Sequence, residues 1–171
     1  LEQRYANFNG LNLSWETLEG VVKHQGVIKN REEVRPAITE IDLKLDLKLE
    51  HHSSAEAQLA NLADDIAYLS HDFDDALRAK LFTIDDIRLL PQVGSALANI
   101  EKCHGRLDLG RITHELVRRL ISVFVEDILL VSNANLSSLD ATHPDEIRHH
   151  KKPVISFSPD MAADLETLRR Y

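Results

Sequence analysis

The 171-residue sequence lacks the features that mark several large classes of protein. Its single cysteine, Cys103, has no second cysteine for an internal disulfide or a zinc cluster, so a reducing cytoplasm is the expected setting. No run of about 18 or more apolar residues is present, and we therefore expect no membrane span. The net charge of −8 disfavours non-specific binding to nucleic acid.

What is present predicts a helical globular domain. Hydrophobic residues make up 43% of the chain and charged residues 28%, which predicts one domain, 1–171, with a core of its own. Strand signals are nearly absent and apolar residues recur at helical spacing, so we predict an all-α fold. Residues 38–50 are the exception, because the chain alternates apolar and polar residues from Ile41 to Leu49. A short hairpin or extended segment and an irregular helix are both open there.

Capping signals and apolar spacing set the expected helix boundaries. We expect helices at 14–24, 53–80, 83–90, 92–103, 109–133, 144–149 and from 159 onward. Ser53 and Glu56 form a predicted capping box at the start of the second of these. The helix at 109–133 has a nearly encircling apolar surface, which predicts a central place in the core, and the Ser- and Asn-rich segment 132–143 is expected to be a loop.

The most informative residues are Asp64, Tyr68 and Asp72, which lie one turn apart on one side of the predicted long helix. Apolar residues occupy the opposite side: Leu59, Leu62, Ile66, Leu69, Phe73 and Leu77. An ordinary solvated face is one interpretation of this row. Asp is, however, unfavourable inside a helix, and five of them crowd a dozen positions with no Lys or Arg between them. A bound metal ion would offset that crowding.

Distance divides the roles within the row. Asp64 and Asp72 are eight residues apart, which is about 12 Å along a helix axis at roughly 1.5 Å per residue. Because metal–oxygen bonds are only about 2.0–2.2 Å long, the two carboxylates cannot easily bind one ion. We therefore expect at most one of them to be a metal ligand and the other to contact a different part of an extended substrate.

Several stretches of the chain carry a family pattern when they are taken together. They are Gly10–Gly20 (GLNLSWETLEG), Lys23-His24, Ser54–Gln58 (SAEAQ), Ala63–Tyr68 (ADDIAY), His71–Phe82 (HDFDDALRAKLF), His114–Ile121 (HELVRRLI) and Pro153–Ser158 (PVISFS). In that order and spacing they resemble the deoxyguanosine triphosphate triphosphohydrolase-like proteins of the HD superfamily. The resemblance extends over nearly the whole chain.

The resemblance implies an HD-superfamily-like helical domain that uses a divalent metal, Mg²⁺ or Mn²⁺, to split deoxynucleoside triphosphates into deoxynucleoside and tripolyphosphate. Asp64 matches the family's later metal-ligating Asp, while Tyr68 and Asp72 match the residues that contact the deoxyribose in characterised relatives. A tyrosine against the sugar leaves no room for a 2′-hydroxyl, and a carboxylate accepts a hydrogen bond from the 3′-hydroxyl. A homo-oligomer is also implied.

The same resemblance predicts what this chain does not contain. The family's first His and its His-Asp doublet precede the phrase at Gly10–Gly20, so three of the four metal ligands and the catalytic histidines are expected upstream of Leu1. A start at Leu1 rather than Met, and an end at Tyr171 inside a predicted helix, also indicate a fragment. We therefore expect this chain alone to be inactive and to bind no metal tightly. The alternative is a catalytically inactive helical module for nucleotide sensing or oligomerisation.

Two further groups of residues have open interpretations. Lys23 and His24 close a matching phrase, and they either lie near the substrate or stabilise a helix C-terminus as cations. The basic cluster 149–152 (His-His-Lys-Lys) either binds the phosphate of an effector nucleotide or only offsets acidic surface.

A second metal set can be drawn inside the chain. His71-Asp72 is itself a His-Asp doublet, with His51 before it and Asp127 after it. Such ligands need only converge in space. This second set is inconsistent with the roles that the family pattern gives to these residues. For Asp127, the ordinary explanation is an exposed acid on a helix.

Overall fold

The computed structural model describes residues 5–8 and 10–171, apart from the side chain of Glu33. Within these residues the chain is helical and contains no β-strand. The helices are α1 (Trp15–Val22), α2 (Pro36–Leu45), α3 (Ala55–Arg78), α4 (Ile84–Ile87), α5 (Val93–His104), α6 (Leu109–Leu139), α7 (Pro144–Arg148) and α8 (Pro159–Arg170), with a 3₁₀ turn at Arg31–Glu33. The prediction of an all-α fold is confirmed.

The described chain forms two compact units. The first contains the residues up to Asn61 together with Leu139–Val154, and the second contains Leu62–Ser138 together with Ile155–Tyr171. Helices α1, α2 and α7 belong to the first unit, and α4, α5 and α8 belong to the second. Helix α3 starts in the first unit and continues through the second, which also contains nearly all of α6.

In the first unit, side chains hold the short helices to the segments between them. Ser14 caps α1 by accepting a hydrogen bond from the Thr17 amide at 3.3 Å. The Trp15 indole Nε1 donates to the carbonyl oxygen of Leu45 at 2.9 Å, which ties α1 to the end of α2. The buried Gln58 side chain donates to the Ser53 carbonyl at 2.8 Å and accepts from the Val154 amide at 2.9 Å.

The alternating segment at 38–50 contains no hairpin. Residues 36–45 form α2, and Pro36 is its first residue, a position where a missing N–H is harmless. The alternation misleads because Leu43 is 81% exposed whereas Asp42 is buried, with its carboxylate accepting from the Leu47 amide at 2.8 Å. After the helix, Leu47 enters the core through a turn with positive φ at Asp46.

The start of α3 differs by one residue from the predicted capping box. Ser54, not Ser53, precedes the helix, and its hydroxyl oxygen accepts from the Ala57 amide at 3.3 Å. Ser53 is instead buried. The apolar side of α3 is also shorter than predicted, because Leu59 is exposed while Ile66 and the later apolar residues of the row are buried.

Helix α6 is longer than predicted, because the Ser- and Asn-rich segment up to Leu139 is helical rather than a loop. Its small polar side chains find partners: the buried Ser132 hydroxyl accepts from the Ser156 amide at 3.2 Å, and Ser138 donates to the Asn135 carbonyl at 2.8 Å. One stripe of α6 is buried rather than its whole circumference: Thr113, Leu116, Leu120, Phe124, Ile128 and Ser132.

By length and composition alone, α6 is apolar enough to cross a membrane, and it is the one such helix in the described part of the chain. Of its most apolar 18-residue window, 22% is buried. A core helix of a soluble protein meets the same criterion, so this feature is weak evidence by itself.

The second unit has a core built from α3, α5, α6 and α8. Its buried apolar residues are Ile66, Leu69, Phe73, Leu77, Ile87, Val93, Ala96, Leu97, Ile100, Leu116, Leu120, Phe124, Ile128, Ile155, Leu165 and Leu168. Asp127 fixes the start of α8, since its carboxylate accepts from the Ser158 amide at 2.8 Å and from the Ser158 hydroxyl at 2.7 Å. Ser158 in turn caps α8 by accepting from the Met161 amide at 3.2 Å.

Candidate functional site

Helix α3 presents Asp64, Tyr68 and Asp72 on its exposed side within the second unit. Tyr68 is 71% exposed, although an aromatic side chain of this size is usually covered. Between them, Ile66 and Leu69 are buried and anchor the helix in the core. The row is therefore a carboxylate, a phenol and a second carboxylate on a rigid helix whose opposite side is packed.

A pocket of about 650 Å³ adjoins two members of this row. It is lined by Asp65, Tyr68, Leu69, Asp72, Phe73, Ala76, Leu81, Phe82, Leu168, Arg169 and Tyr171. Asp64 lies one turn before Tyr68 and does not line it. The pocket therefore combines the two predicted sugar-contacting residues with an apolar, largely aromatic wall, and this volume falls in the range of about 300–1,000 Å³ for small-molecule sites.

The acidic crowding on α3 is offset partly by two arginines, one on α8 and one on α3 itself. Arg169 of α8 forms an ion pair with Asp65 across this pocket at 2.5 Å. Arg78, one turn after Asp74, donates to its carboxylate at 2.7 Å, and this hydrogen bond holds the pKa of Asp74 below its usual value. Crowding of carboxylates is therefore a weaker argument for a metal ion than the sequence suggests.

Lys23, in the first unit, lies in the interior. Its side chain is fully buried, and its ammonium donates to Glu19 at 2.9 Å and to the His52 carbonyl oxygen at 3.4 Å. Burial lowers the pKa of Lys23, against the opposing effect of its bond to Glu19. Arg148 of α7 binds the same carboxylate, with its Nε 3.0 Å from Glu19 Oε1. These contacts hold the Lys23 side chain inside the first unit. A role near the substrate stays a prediction.

His24 lines a separate cavity of about 940 Å³ in the first unit. The cavity walls come from α1, from the start of α3 and from the segment around α7: Glu16, Thr17, Gly20, Val21, Ser54–Ala57, Ala60, Ala141–Pro144, Ile147 and Arg148. Among these residues Gly20 and Ala57 approach closely, since a Cβ on Gly20 would lie only 3.1 Å from the Cβ of Ala57. The role predicted for His24 stays untested by this placement.

The basic cluster 149–152 is exposed. The ring Nδ1 of His149 lies 2.7 Å from the Asp145 carbonyl oxygen, and that of His150 lies 2.8 Å from the Lys152 carbonyl oxygen. The two rings thus contact neighbouring backbone, and the effector-phosphate interpretation stays a prediction.

Within residues 5–8 and 10–171, no group of three or more His, Cys, Asp or Glu side chains is arranged to hold a metal ion. Asp127, a member of the second metal set, is occupied by Ser158 and has a helix-capping role. It is therefore not the simple exposed acid expected from sequence. Asp64 offers a carboxylate oxygen, the donor type that Mg²⁺ and Mn²⁺ prefer, as a single potential ligand.

No family model matches the chain. Individual proteins, in contrast, match the chain over its whole length. A deoxyguanosinetriphosphate triphosphohydrolase-like protein of Paracoccus denitrificans (strain Pd 1222) is 43% identical over 171 residues, covering 100% of this chain and 45% of the relative. The whole chain is homologous to this protein. A protein of the same name from Bartonella tribocorum is 43% identical over 176 residues, and one from Bradyrhizobium sp. (strain ORS 278) is 41% identical over 170 residues.

The resemblance carried by the sequence phrases is thus confirmed by triphosphohydrolase-like relatives. The alignments cover only part of each relative. The Bartonella alignment covers 100% of this chain and 44% of the relative, and the Bradyrhizobium alignment covers 99% of this chain and 43% of the relative. The chain therefore spans less than half the length of the triphosphohydrolase-like proteins that it matches.

Sequence reasoning missed several residues that shape these sites. The contact of Arg148 with Glu19 had no local signal, since the two residues lie 129 positions apart in the chain. Arg169 in α8 and Tyr171 just after it also line the pocket beside Tyr68, and their place there depends on tertiary packing. The Glu19–Lys23 pair could have been predicted from sequence, because a Glu four residues before a Lys on a helix is a recognised ion-pair spacing.

Proposed function

We propose that this chain is part of a metal-dependent deoxynucleoside triphosphate triphosphohydrolase that releases tripolyphosphate and a deoxynucleoside. The main supporting observation is the exposed row on α3, in which Tyr68 and Asp72 adjoin a pocket of nucleoside size while Asp64 lies one turn beyond it. The names of the relatives support the reaction class. Mg²⁺ or Mn²⁺, a homo-oligomer and a cytoplasmic setting belong to the same proposal.

In this proposal the row divides its work along the substrate. Asp64 is one ligand of the metal at the phosphate end, and the remaining ligands and the catalytic histidines come from parts of the full-length protein outside this chain. When bound, the metal would neutralise developing negative charge on the phosphates. Asp72 accepts a hydrogen bond from the 3′-hydroxyl, and Tyr68 excludes a 2′-hydroxyl by packing against the sugar. The roughly 12 Å between Asp64 and Asp72 suits an extended nucleotide rather than an ion cage.

The direct test is an Asp64→Ala variant of the full-length protein, assayed for tripolyphosphate release from deoxynucleoside triphosphates with Mn²⁺ or Mg²⁺. Loss of even an outer-shell partner of a metal typically lowers affinity or activity by about 10–100-fold, so loss of a ligand should reduce the rate by about 100-fold or more. Asp75→Ala is the matched control, because Asp75 is an exposed acid on the same helix that lies outside the row and the pocket. Equal activity in the two variants would remove the metal role of Asp64.

The alternative of a non-catalytic oligomerisation module has one observation in its favour. The exposed side of α6 carries Ile121, Val125 and Leu129 at four-residue spacing, together with Leu130 at 73% exposure. Such an apolar row is typical of a helix that packs against another surface. Nucleotide binding with no release of tripolyphosphate by the full-length protein, in either metal, would favour this alternative.

A further inference from the structure

Two histidine doublets that are distant in the sequence meet in the first unit: His51-His52 and His149-His150. A backbone hydrogen bond joins the two segments, in which the His52 amide donates to the Arg148 carbonyl oxygen at 3.0 Å. The ring centroids of His51 and His149 lie 4.3 Å apart. Burial lowers the pKa of His52, and the nearby His150 and His51 add to this effect. The fold therefore assembles one histidine cluster, of which the sequence shows only two separate halves.

A backbone carbonyl orients the ring of His149. Its Nδ1 lies 2.7 Å from the carbonyl oxygen of Asp145, in the last turn of α7. Because a carbonyl oxygen only accepts, Nδ1 carries the proton, and the neutral ring presents a bare lone pair at Nε2. Metal-binding histidines are held in the same way, with one ring nitrogen donating to a carbonyl or carboxylate and the other free to bind the ion.

The distance between the rings of His51 and His149 suits a shared ion. Imidazole nitrogen binds Zn²⁺ at about 2.0–2.1 Å, which places the ion about 3.2 Å from each ring centre, so two rings at right angles around one ion lie about 4.5 Å apart. The observed 4.3 Å is close to this separation. The two rings are inclined at 61°, so they are not stacked flat, and small side-chain rotations bring their nitrogen edges toward a common point.

Most of the positive charge around this pair is neutralised. The Lys48 ammonium lies 3.4 Å from the Asp145 carboxylate, and the Arg148 guanidinium lies 3.0 Å from that of Glu19. The lysines at 151–152 are exposed, so water and salt screen their charges from an ion bound nearby. Neutral imidazole nitrogens suit Cu²⁺, Ni²⁺ and Zn²⁺, whereas Mg²⁺ prefers oxygen ligands.

We propose that His51 and His149 bind a first-row transition-metal ion of the Cu²⁺, Ni²⁺ or Zn²⁺ class, with water completing its coordination. Two protein ligands are fewer than the three or four of established zinc sites, so the affinity is lower than at such a site. The bound ion joins the segment after α2 to the end of α7, the same segments that the His52–Arg148 backbone hydrogen bond already connects. This nitrogen site is independent of the carboxylate site proposed at Asp64, and it does not depend on the hydrolase function.

The test is a calorimetric titration of this chain with Cu²⁺, Ni²⁺, Zn²⁺ and Mg²⁺ as separate probes. The titration is made above the ordinary histidine pKa of about 6.5, where the imidazoles are neutral. The expected result is one site that is tightest for Cu²⁺, weaker for Ni²⁺ and Zn²⁺, and without response to Mg²⁺. In NMR spectra of the same chain, Zn²⁺ should shift the imidazole nitrogen signals of His51 and His149.

His51→Gln and His149→Gln should each lower the affinity for Cu²⁺ by about tenfold or more, since loss of even an outer-shell partner of a metal typically costs about 10–100-fold. His71→Gln is the matched control, because His71 is an exposed histidine on α3 that lies outside this pair and belongs to the second metal set drawn from the sequence. The control should bind Cu²⁺ as the unchanged chain does.

Three results would overturn the assignment. The first is no binding of Cu²⁺ at millimolar concentration. The second is binding that both His51→Gln and His149→Gln leave unchanged, or that His71→Gln weakens as much as they do. The third is Mg²⁺ binding comparable with that of Cu²⁺, which would indicate carboxylate rather than imidazole ligands.

Discussion

Glu19 is the acceptor at the centre of a buried charge cluster in the first unit, and its removal is the most informative perturbation of the fold. Its side chain is fully buried, as is that of Lys23, and that of Arg148 is 8% exposed. Lys23 donates to one carboxylate oxygen at 2.9 Å, while Arg148 donates to both, with its Nη2 3.1 Å from Oε2. Glu19→Ala therefore leaves two interior cations without their shared anion.

The expected loss in the free energy of unfolding depends on the contacts that each cation retains. Breaking a buried ion pair by removing one partner costs about 3–5 kcal/mol, because the remaining charge stays desolvated. Arg148 retains Asp145 at 3.1 Å, and Lys23 retains the His52 carbonyl oxygen at 3.4 Å. These residual contacts place the expected loss near the lower end, at about 3 kcal/mol in the free energy of unfolding. That is a large share of the ~5–15 kcal/mol that stabilises a typical domain.

Urea denaturation followed by circular dichroism measures this change. Glu16→Ala is the matched control, since Glu16 lies in the same helix, is exposed, and lies outside the charge cluster. Glu19→Gln keeps an acceptor but removes the charge, and should fall between the two. A Glu19→Ala variant whose free energy of unfolding stays within about 1 kcal/mol of the Glu16→Ala control would refute the view that this cluster stabilises the first unit.

Two further predictions concern pH and backbone packing. Burial lowers the pKa of His52 from its ordinary 6.5, so the folded chain binds this proton less readily than the unfolded chain. The stability that His52 contributes is present above pH 6.5 and is lost as the pH falls through its lower folded pKa. His52→Gln should therefore flatten the pH dependence of the urea midpoint below pH 6.5. Gly94→Ala should destabilise the chain in spite of the roughly 1 kcal/mol by which alanine favours a helix, because its Cβ would lie 2.5 Å from the Arg88 carbonyl oxygen. Gly110→Ala, where the nearest atom is a side-chain oxygen at 3.4 Å, should be neutral or stabilising, and equal thermal midpoints for the two variants would contradict the clash.

The parts of the fold that sequence predicted are those governed by local periodicity. The exposed Asp64–Tyr68–Asp72 row and the buried residues opposite it follow from the 3.6-residue repeat of α3. Both hydrogen bonds of the Thr83–Asp86 capping box of α4 are present, as the local spacing predicts: the Thr83 amide donates to the Asp86 carboxylate, and the Asp86 amide donates to the Thr83 hydroxyl oxygen.

The parts that sequence missed depend on contacts made after folding. The alternation before Leu49 resembled a strand because Asp42 is a buried polar residue whose partner, Arg31, lies eleven positions earlier, at 3.1 Å. The end of α6 resembled a loop because Ser132 bonds to Ser156, a partner that no local rule reveals. The wall of the pocket beside Tyr68 depends likewise on Tyr171, which follows α8 and reaches Phe82 only through tertiary packing.

The most direct measurement of the central proposal is the identity of the products. Phosphorus NMR of full-length protein incubated with 2′-deoxyguanosine triphosphate and Mn²⁺ should show inorganic tripolyphosphate as the first phosphorus product, with deoxyguanosine released in equal amount. Asp64→Ala should abolish both signals while Asp75→Ala retains them. Release of orthophosphate or pyrophosphate as the first product, or tripolyphosphate release that survives Asp64→Ala, would contradict the role assigned to this helix.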